Sequence, residues 1–368
     1  MRYYNVNLQS SANKDNYFIK RACSSVNLDA DKKLIHNLEI KADFETPFNI
    51  CLIHGLSGSG KTTLTREIFG QDCFKFEIDE DKSVIEQFDK SFKYDERVEF
   101  LVSIGLGSIP EWIKPIKVLS NGERARAEIA ILLSKSNEIF IDEFTSVLDR
   151  NIAKILSHSL QKFARKQNKR IILCSVHEDV TEWLNPDIIV DVNKQEYIDR
   201  RGLWQGYKRN EFLNFEIRAV SRSSWKMFSK YHYLSDNLPS NPRSFGLFIN
   251  NKQIGFQCFA NYNIANQKML HSNRTIIHPE YIGLGLGIRL ITETSRIMID
   301  RGYEIRAKFS NISIYRSMMK DPFWKYMGKS DNFNTNKSRI SKKKSGLGSA
   351  KIKAIKQGVV SYSFKFIG

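Results

Sequence analysis

The chain has 368 residues, 41% hydrophobic and 26% charged, with a formal net charge of +17. That length can bury two cores; five scattered cysteines (Cys23, Cys51, Cys73, Cys174, Cys258) argue against a disulfide frame or a zinc site, and no apolar run reaches the roughly 18 residues a spanning helix needs. The charge is lopsided: residues 208–368 hold 28 Lys and Arg against 9 Asp and Glu, while the first 207 hold 29 against 31, so the second half is expected to meet a polyanion such as nucleic acid. Met1-Arg2-Tyr3-Tyr4-Asn5 shows no cleavable-leader pattern. With reduced thiols, the expected setting is the cytoplasm.

Residues 1–50 alternate apolar and polar side chains, as in Tyr17-Phe18-Ile19-Lys20 and Leu38-Glu39-Ile40-Lys41, which predicts strands. The apolar run Ile50-Cys51-Leu52-Ile53 then feeds Gly55-Leu56-Ser57-Gly58-Ser59-Gly60-Lys61-Thr62, a match to G-x-x-x-x-G-K-[ST]. Gly55, Gly58 and Gly60 let backbone N–H groups turn toward phosphate oxygens, with Ser57, Ser59 and Thr63 in the same cradle. Lys61 neutralises the β/γ charge and Thr62 ligates Mg²⁺, so the ligand is a nucleoside triphosphate. Residues 80–115 read as a mixed insertion, helical around Val84–Phe92 and loop-like near Gly105–Pro110. Leu119-Ser120-Asn121-Gly122-Glu123 opens a predicted helix over 120–136. Ile139-Phe140-Ile141 reads as a buried strand that delivers Asp142 and Glu143 to its C-terminal end, where α/β sheets bind ligands. There one carboxylate can hold Mg²⁺ and the next can orient or deprotonate an attacking water. A helix over 150–167, a strand ending at His177 and Ile188-Ile189-Val190-Asp191 complete a first domain at 1–200, with a linker at 201–212.

Leu119-Ser120-Asn121-Gly122-Glu123, Asp142-Glu143, Ser146-Val147-Leu148-Asp149 and His177 stand in the order of the signature motif, Walker B, D-loop and switch histidine of ABC-type ATPases, which this domain resembles. The resemblance implies ATP and Mg²⁺ as ligands, the ion held by Thr62 and Asp142. It implies Glu143 as catalytic base, His177 as γ-phosphate sensor and Gln87 as the Q-loop glutamine. It also implies a homodimer with two sandwiched ATPs, in which Ser120, Gly122 and Asp149 of each protomer close the other's site. Phe144 stands where that family has Pro, and Asn121 where it has Gly.

In the basic domain, 213–368, the run Arg274-Thr275-Ile276-Ile277-His278-Pro279-Glu280-Tyr281-Ile282-Gly283-Leu284-Gly285-Leu286-Gly287-Ile288 leads from a predicted strand through glycines into a helix. That is a second backbone cradle, fit for a pyrophosphate. Its surroundings are a helix over Trp225–Tyr233, a hairpin of Phe245–Asn250 and Gln253–Ala260, a strand Glu304–Phe309, a helix Ile314–Trp324 and a closing strand Val359–Phe366. The run resembles motif A of the GNAT acyltransferases, and the order of elements resembles their sheet. The resemblance implies acetyl-CoA held by Gly283, Gly285, Gly287 and Ile288, with a backbone donor near Ile276 and Ile277 polarising the thioester and Asn311 contacting the pantetheine arm. Ile282 stands where Gln or Arg is usual, and Met318 where the general-acid Tyr is usual, with Tyr315 nearby. His232, in Lys230-Tyr231-His232-Tyr233, is a candidate base, since imidazole titrates near neutral pH. The basic tract Lys337–Lys356, where basic residues alternate with Ser and Gly, reads as either a mobile loop or a nucleic-acid-facing one.

As a whole the chain resembles ABC-ATPase–GNAT fusions of phage and mobile elements. The expected fold class is therefore α/β, an N-terminal ABC-type P-loop ATPase domain followed by a C-terminal GNAT α+β domain. The expected function is ATP-dependent acetyl transfer from acetyl-CoA to an amine on nucleic acid or a modified base. The alternatives are acetylation of a protein or small amine with a regulatory ATPase, and a non-catalytic DNA-binding ABC clamp.

Overall fold

The computed structural model describes residues 1–10, 16–26, 34–203, 214–231, 237–262, 268–332 and 359–368. Most of the expected linker, His232 and the tract Lys337–Lys356 lie outside the described residues. By their contacts the residues form two compact units. The first gathers Met1–Phe92, Ser103–Leu106 and Pro110–Arg209; the second gathers Lys93–Val102, Gly107–Ile109 and Asn210–Gly368.

In the first unit β1 (Arg2–Ser10) and β2 (Leu34–Ala42) pair antiparallel. Between them lies helix α1 (Tyr17–Ser25), where alternation predicts strand. The Asn16 side chain accepts hydrogen bonds from Phe18 N at 2.9 Å and Ile19 N at 3.3 Å. A short polar cap of this kind outweighs a four-residue alternation. The main sheet contains β3 (Ile50–His54), followed by α2 (Lys61–Phe69). Instead of the expected helix at Val84–Phe92 there is one 3₁₀ turn at Val84–Gln87, and α3 (Tyr94–Ser103) follows it. Asp89 ends the turn by drawing Ser91 N to its carboxylate at 2.8 Å. Helix α3 is built into the second unit, where Glu99 pairs with Arg316.

After α4 (Ile109–Trp112) come α5 (Asn121–Lys135), β4 (Glu138–Ile141), α6 (Arg150–Gln167), β5 (Arg170–Ser175), α7 (Val180–Leu184), β6 (Ile188–Asp191) and β7 (Glu196–Asp199). The sheet order is β4-β5-β3-β6-β7. The first four strands are parallel, and β7 is an antiparallel edge. Strands buried on both faces read as continuous apolar runs, which is why β3, β5 and β6 are legible in the sequence. Cys51, Ile53, Ile172, Cys174 and Val190 of these strands are buried in one core with Leu64 of α2 and Val6, Leu38 and Ile40 of the β1–β2 pair. Parallel strands bring the C-terminal ends of β3, β5 and β4 to one edge.

The second unit is a seven-stranded sheet, β13-β14-β12-β11-β10-β9-β8. Its elements are β8 (Phe215–Ala219), α8 (Trp225–Phe228), β9 (Arg243–Ile249), β10 (Lys252–Asn261), β11 (Met269–Ile277), α9 (Leu286–Ile299), β12 (Glu304–Phe309), α10 (Ile312–Met318), β13 (Trp324–Asn332) and β14 (Val359–Phe366). Two predicted helices are shorter than expected. α8 passes into a 3₁₀ turn at Ser229–Tyr231, and α10 stops at Met318 so that Trp324 begins a strand. Pro322 disfavours helix at Asp321, which instead caps Phe323 N at 3.0 Å.

One face of the sheet packs Phe259, Leu270, Ile305, Ala307 and Phe364 against α9 residues such as Ile291 and Met298. The other face packs Phe256, Cys258 and Ile276 against Trp225 and Phe228 of α8. Strands β11 and β12 are parallel, but they pair only from Met269↔Glu304 to Ser272↔Ala307. At that point β11 bulges: Cys258 faces Arg274 while Phe259 faces Ser272, leaving Asn273 as the extra residue. A bulge bends and twists its strand, so Thr275 to Ile277 continue alongside β10 and leave β12.

Candidate functional site

Two helix starts capped by left-handed glycines stand in the structure, one in each unit. In the first, Gly58 (φ 76°) and Gly60 (φ 92°) turn left-handed into α2. A Cβ on Gly55 would meet Ser59 Oγ at 2.7 Å, so glycine is required there for close packing. Gly60 caps α2 without any side-chain bond, leaving the first-turn N–H groups for a ligand. Lys61 is buried, with Nζ donating to Gly55 O at 2.9 Å and Leu56 O at 2.7 Å, inside the loop it closes. Ser59 Oγ is buried with no protein partner, as a donor kept for a phosphate oxygen would be. Ser57 and Thr63 are exposed at the rim.

Thr62 Oγ1 donates to Asp142 Oδ2 at 2.8 Å, joining the end of β4 to the start of α2. Mg²⁺ takes one or two protein oxygens, several waters and substrate phosphates, and this hydroxyl–carboxylate pair fits that demand. Among the described residues there is no group of three or more His, Cys, Asp or Glu fit for a metal. Glu143 follows with φ 49° and is exposed; its N–H donates to Asp142 Oδ1 at 2.9 Å. Phe144 N–H donates to Cys174 O at 2.7 Å. That bond anchors the turn to β5, and proline at this position would lack the donor. A cavity of about 510 Å³ runs alongside, lined among others by Phe74, Phe76, Asp142, Glu143 and Val147.

Thr145, at φ 69°, is a β-branched residue in left-handed backbone, which costs of the order of 1–3 kcal/mol and marks a constrained site. Its Oγ1 lies 3.3 Å from His177 Nδ1 and takes a 3.5 Å contact from Arg150 Nη1. Arg150 in turn pairs with Asp179 and covers the Trp183 ring at 4.9 Å. Thr145, Arg150, His177 and Asp179 are thus tied together beside Asp142 and Glu143 at the sheet edge that carries the loop. Thr145 and Arg150 are sequence-silent members of this cluster, since nothing in their type announces such contacts.

Ser120 caps α5 reciprocally with Glu123, at 3.4 Å and 2.9 Å, and Gly122 follows in the first turn. Asp149 caps α6 through Asn151 N at 2.9 Å. Ser120 and Asp149 are exposed. Gln87 is buried; its Nε2 donates to Asp79 O at 2.8 Å and Lys82 O at 3.2 Å, and its Oε1 accepts from Asp79 N at 2.8 Å. Its amide is engaged within its own loop, and no bond joins it to Thr62 or Asp142.

The second helix start repeats the first. Gly283 (φ 98°) and Gly285 (φ 73°) turn left-handed, and Gly285 caps α9 without any side-chain bond. Gly287 and Ile288 sit in its first turn, with Ile277 Cγ1 3.7 Å from where a Cβ on Gly287 would stand. His278 N donates to Ile254 O at 2.7 Å. Antiparallel alternation then directs the Ile276 N–H toward β10, and those of Thr275 and Ile277 to the side from which β12 has departed. Of the two expected donors, the geometry leaves Ile277 open and adds Thr275.

Beside this slot lies a pair not foreseen from the sequence. Tyr231 Oη is 3.0 Å from His278 Nε2, with the rings edge-on at 5.0 Å. Glu280 Oε2 stands 3.6 Å from His278 Nδ1, which has no hydrogen-bond partner. Burial pushes the His278 pKa down, Glu280 opposes, and Lys252 and Lys230 add to the fall. With the proton of the neutral ring on Nδ1, toward Glu280, Nε2 would accept from Tyr231; the other tautomer reverses that bond. The signal in the sequence was His278 itself, between a strand and a glycine cradle. Asn311 Oδ1 caps α10, accepting from Ser313 N at 2.8 Å and Ile314 N at 3.3 Å. Tyr315 stacks on Tyr362 with centroids 4.0 Å apart and meets Tyr326 edge-on, while Met318 is fully buried.

No family model matches the chain. An ABC transporter-like protein of Encephalitozoon cuniculi is 26% identical over 206 residues, covering 43% of this chain and 35% of that protein. "Probable ABC transporter ATP-binding protein p29" of Mesomycoplasma hyorhinis is 32% identical over 100 residues, covering 27% of this chain and 36% of that protein. The chain is similar to ABC-type ATPases. It spans about a third of the length of these relatives. Among solved structures, a GNAT family acetyltransferase from Elizabethkingia anophelis with acetyl-CoA bound aligns over 42% of this chain and 99% of its own, at 10% identity and a TM-score of 0.29. The fold is mixed α/β, with ABC ATPase and GNAT acetyltransferase structures among its neighbours. Among the described residues no helix is long and apolar enough to cross a membrane.

Proposed function

We propose that the chain joins an ATP-hydrolysing ABC-type ATPase, working as a homodimer around two ATPs, to a GNAT acyltransferase that moves an acetyl group from acetyl-CoA to an amine on nucleic acid or a modified base. The observation that carries this reading is the repeated helix start. Gly60 beside Asp142 and Glu143 suits a triphosphate; Gly285 beside the stretch of β11 that has left β12 suits a diphosphate with a thioester arm. The excess of 19 positive charges over residues 208–368 supports a polyanionic acceptor.

In the first unit Glu143 takes the proton of a water that attacks the γ-phosphorus, and the bond to the β-bridging oxygen breaks. Lys61 and the α2 N–H groups bear the charge on the phosphates. Mg²⁺, held by Thr62 and Asp142, would screen that charge further. In the second unit the acceptor nitrogen attacks the thioester carbon while the N–H of Thr275 or Ile277 stabilises the oxyanion. His278 Nε2, reached through Tyr231 Oη, takes the proton from nitrogen, and the C–S bond breaks. The leaving thiolate takes one proton, so the sum is amide and free thiol.

Incubation of the protein with labelled acetyl-CoA, ATP and DNA or tRNA, followed by nucleoside mass spectrometry, is expected to show ATP-dependent label on a nucleoside. Label on protein or small amines alone would remove the nucleic-acid acceptor. Gly285→Ala isolates the second grip. Nothing lies within 4 Å of the added Cβ, so the cost is confined to the left-handed backbone, about 1–2 kcal/mol. Calorimetry should show weaker coenzyme A binding with ATP binding unchanged; unchanged coenzyme A binding would remove this cradle from the site. A second reading, in which the acyltransferase fold only binds, draws on Tyr315 being stacked on Tyr362 and on the buried Met318. Coenzyme A binding without transfer to any amine would select it.

A further inference from the structure

The register of the second sheet aligns cations that the sequence scatters. His271 of β11 lies opposite Arg306 of β12, Arg306 opposite Lys365 of β14, and Lys365 opposite Lys325 of β13. One row therefore crosses four neighbouring strands, and Lys308 stands two residues beyond Arg306 on the same side of β12. The opposite face is the core, where Leu270, Ile305, Ala307, Phe364, Phe366 and Trp324 are buried. Lys308 and Lys325 are exposed, and Arg306 and Lys365 keep 39% and 36% of their side-chain surface.

Like charges directly across a ladder are unfavourable. Glu304 relieves part of the strain by accepting from Arg306 at 2.8 Å and Lys365 at 2.9 Å. Four cations still face one carboxylate. Burial lowers the His271 pKa first, and Arg306 and Lys308 lower it further, so the end of the row sits in a positive field. The exposed Tyr262 ring lies 4.9 Å from the His271 ring, placing an aromatic plane at that end. The row shares its sheet face with Cys258 and Ile276, under α8, and by strand alternation with His278.

Resting on the reading that the acceptor is a nucleic acid, we propose that this face seats a single-stranded segment of it. Successive phosphates lie along Arg306, Lys365 and Lys325, with Lys308 beside them, and one base stacks on Tyr262. Strands spaced about 4.8 Å apart make the row about 14 Å long, the length of a few consecutive phosphates. An aromatic at the end of a cationic track favours unpaired bases, whose faces are free to stack; an anionic lipid surface would leave that plane without a partner.

The test is fluorescence anisotropy of the full-length protein with a labelled single-stranded DNA of about 12 nucleotides, titrated between about 50 and 200 mM salt. The variant combines Arg306→Gln, Lys325→Gln and Lys365→Gln with Glu304→Gln, so that no carboxylate loses its partners. It should bind about tenfold or more weakly, with a salt slope shallower by about 2. Arg306→Lys with Lys325→Arg and Lys365→Arg should bind as wild type does. Tyr262→Ala should weaken binding by about fivefold or more with the slope unchanged. Lys325→Gln alone, at an exposed position, guards against loss of fold and should reduce the slope by just under about 1. Wild-type affinity and slope in the combined variant, with its thermal melting intact, would overturn the row while leaving nucleoside acetylation standing. Tighter binding to a duplex of the same length, or to phosphatidylserine vesicles, would also overturn it. A wild-type protein that binds no oligonucleotide overturns both the row and the nucleic-acid acceptor.

Discussion

A Glu143→Gln protein is expected to bind ATP as the wild type does, to hydrolyse it at least about a hundredfold more slowly, and to collect as an ATP-bound dimer. Asp142 is already engaged with Thr62, at 2.8 Å, which leaves Glu143 as the adjacent carboxylate able to accept a proton. The Glu143 backbone is held in a left-handed turn by its own N–H bond to Asp142 and by the Phe144 bond to Cys174. An isosteric amide preserves this packing and removes only the basicity. Phosphate release and gel filtration with ATP against ADP are the measurements. Hydrolysis at the wild-type rate would take Glu143 out of the reaction, whatever the dimer does.

The second large effect concerns the proton in the proposed acyl transfer. His278→Gln should lower transfer by about 10² to 10⁴, while Tyr231→Phe, which keeps the ring and loses the relay hydroxyl, should lower it by about tenfold. The pH profile separates this from mere packing. Burial depresses the His278 pKa, helped by Lys252 and Lys230 and opposed by Glu280. The free base therefore persists to lower pH than it does in an exposed imidazole. Wild-type kcat/KM should stay level through the ordinary histidine range and fall only below it, and the Gln variant should lack that acidic limb. The same depression means that the native state binds fewer protons than the unfolded chain. This contribution to stability is present above the unfolded pKa and is lost as pH falls through the folded one. A Gln variant with the wild-type rate and the same limb would sink the assignment.

The phosphate-loop unit was the more legible half. A strand buried on both faces, a glycine loop and a helix follow each other within twenty residues, and local pattern alone fixes them. Helix 150–167 was also legible, and in the structure Asp149 caps it while Ala153, Leu156, Leu160 and Phe163 are buried along it. What stayed hidden depends on distant partners. Thr145 and Arg150 join the cluster beside Asp142 and Glu143 only through His177 and Asp179. Tyr231 becomes a site residue through His278, 47 positions away. Alternation misread Tyr17–Lys20 because the deciding group was the Asn16 side chain just before it. The bulge at Asn273 has no composition signature, since it exists only as a mismatch between two strands.

The departure of β12 from β11 gives one strand two characters. Up to Ser272 it is interior, and from Asn273 to Ile277 its outer rim, among the described residues, is an edge lying inside a seven-stranded sheet. An ordinary edge invites another protein chain to add alongside. This one is open only between two diverging strands, so a thin arm bearing amide groups of its own can complete the ladder, whereas a bare alkyl arm would leave the Thr275 and Ile277 amides dry and unmatched. Selectivity for the carrier of the acyl group would then be set by the main chain. Side-chain replacements along β11 would alter which acceptor is used far more readily than which donor.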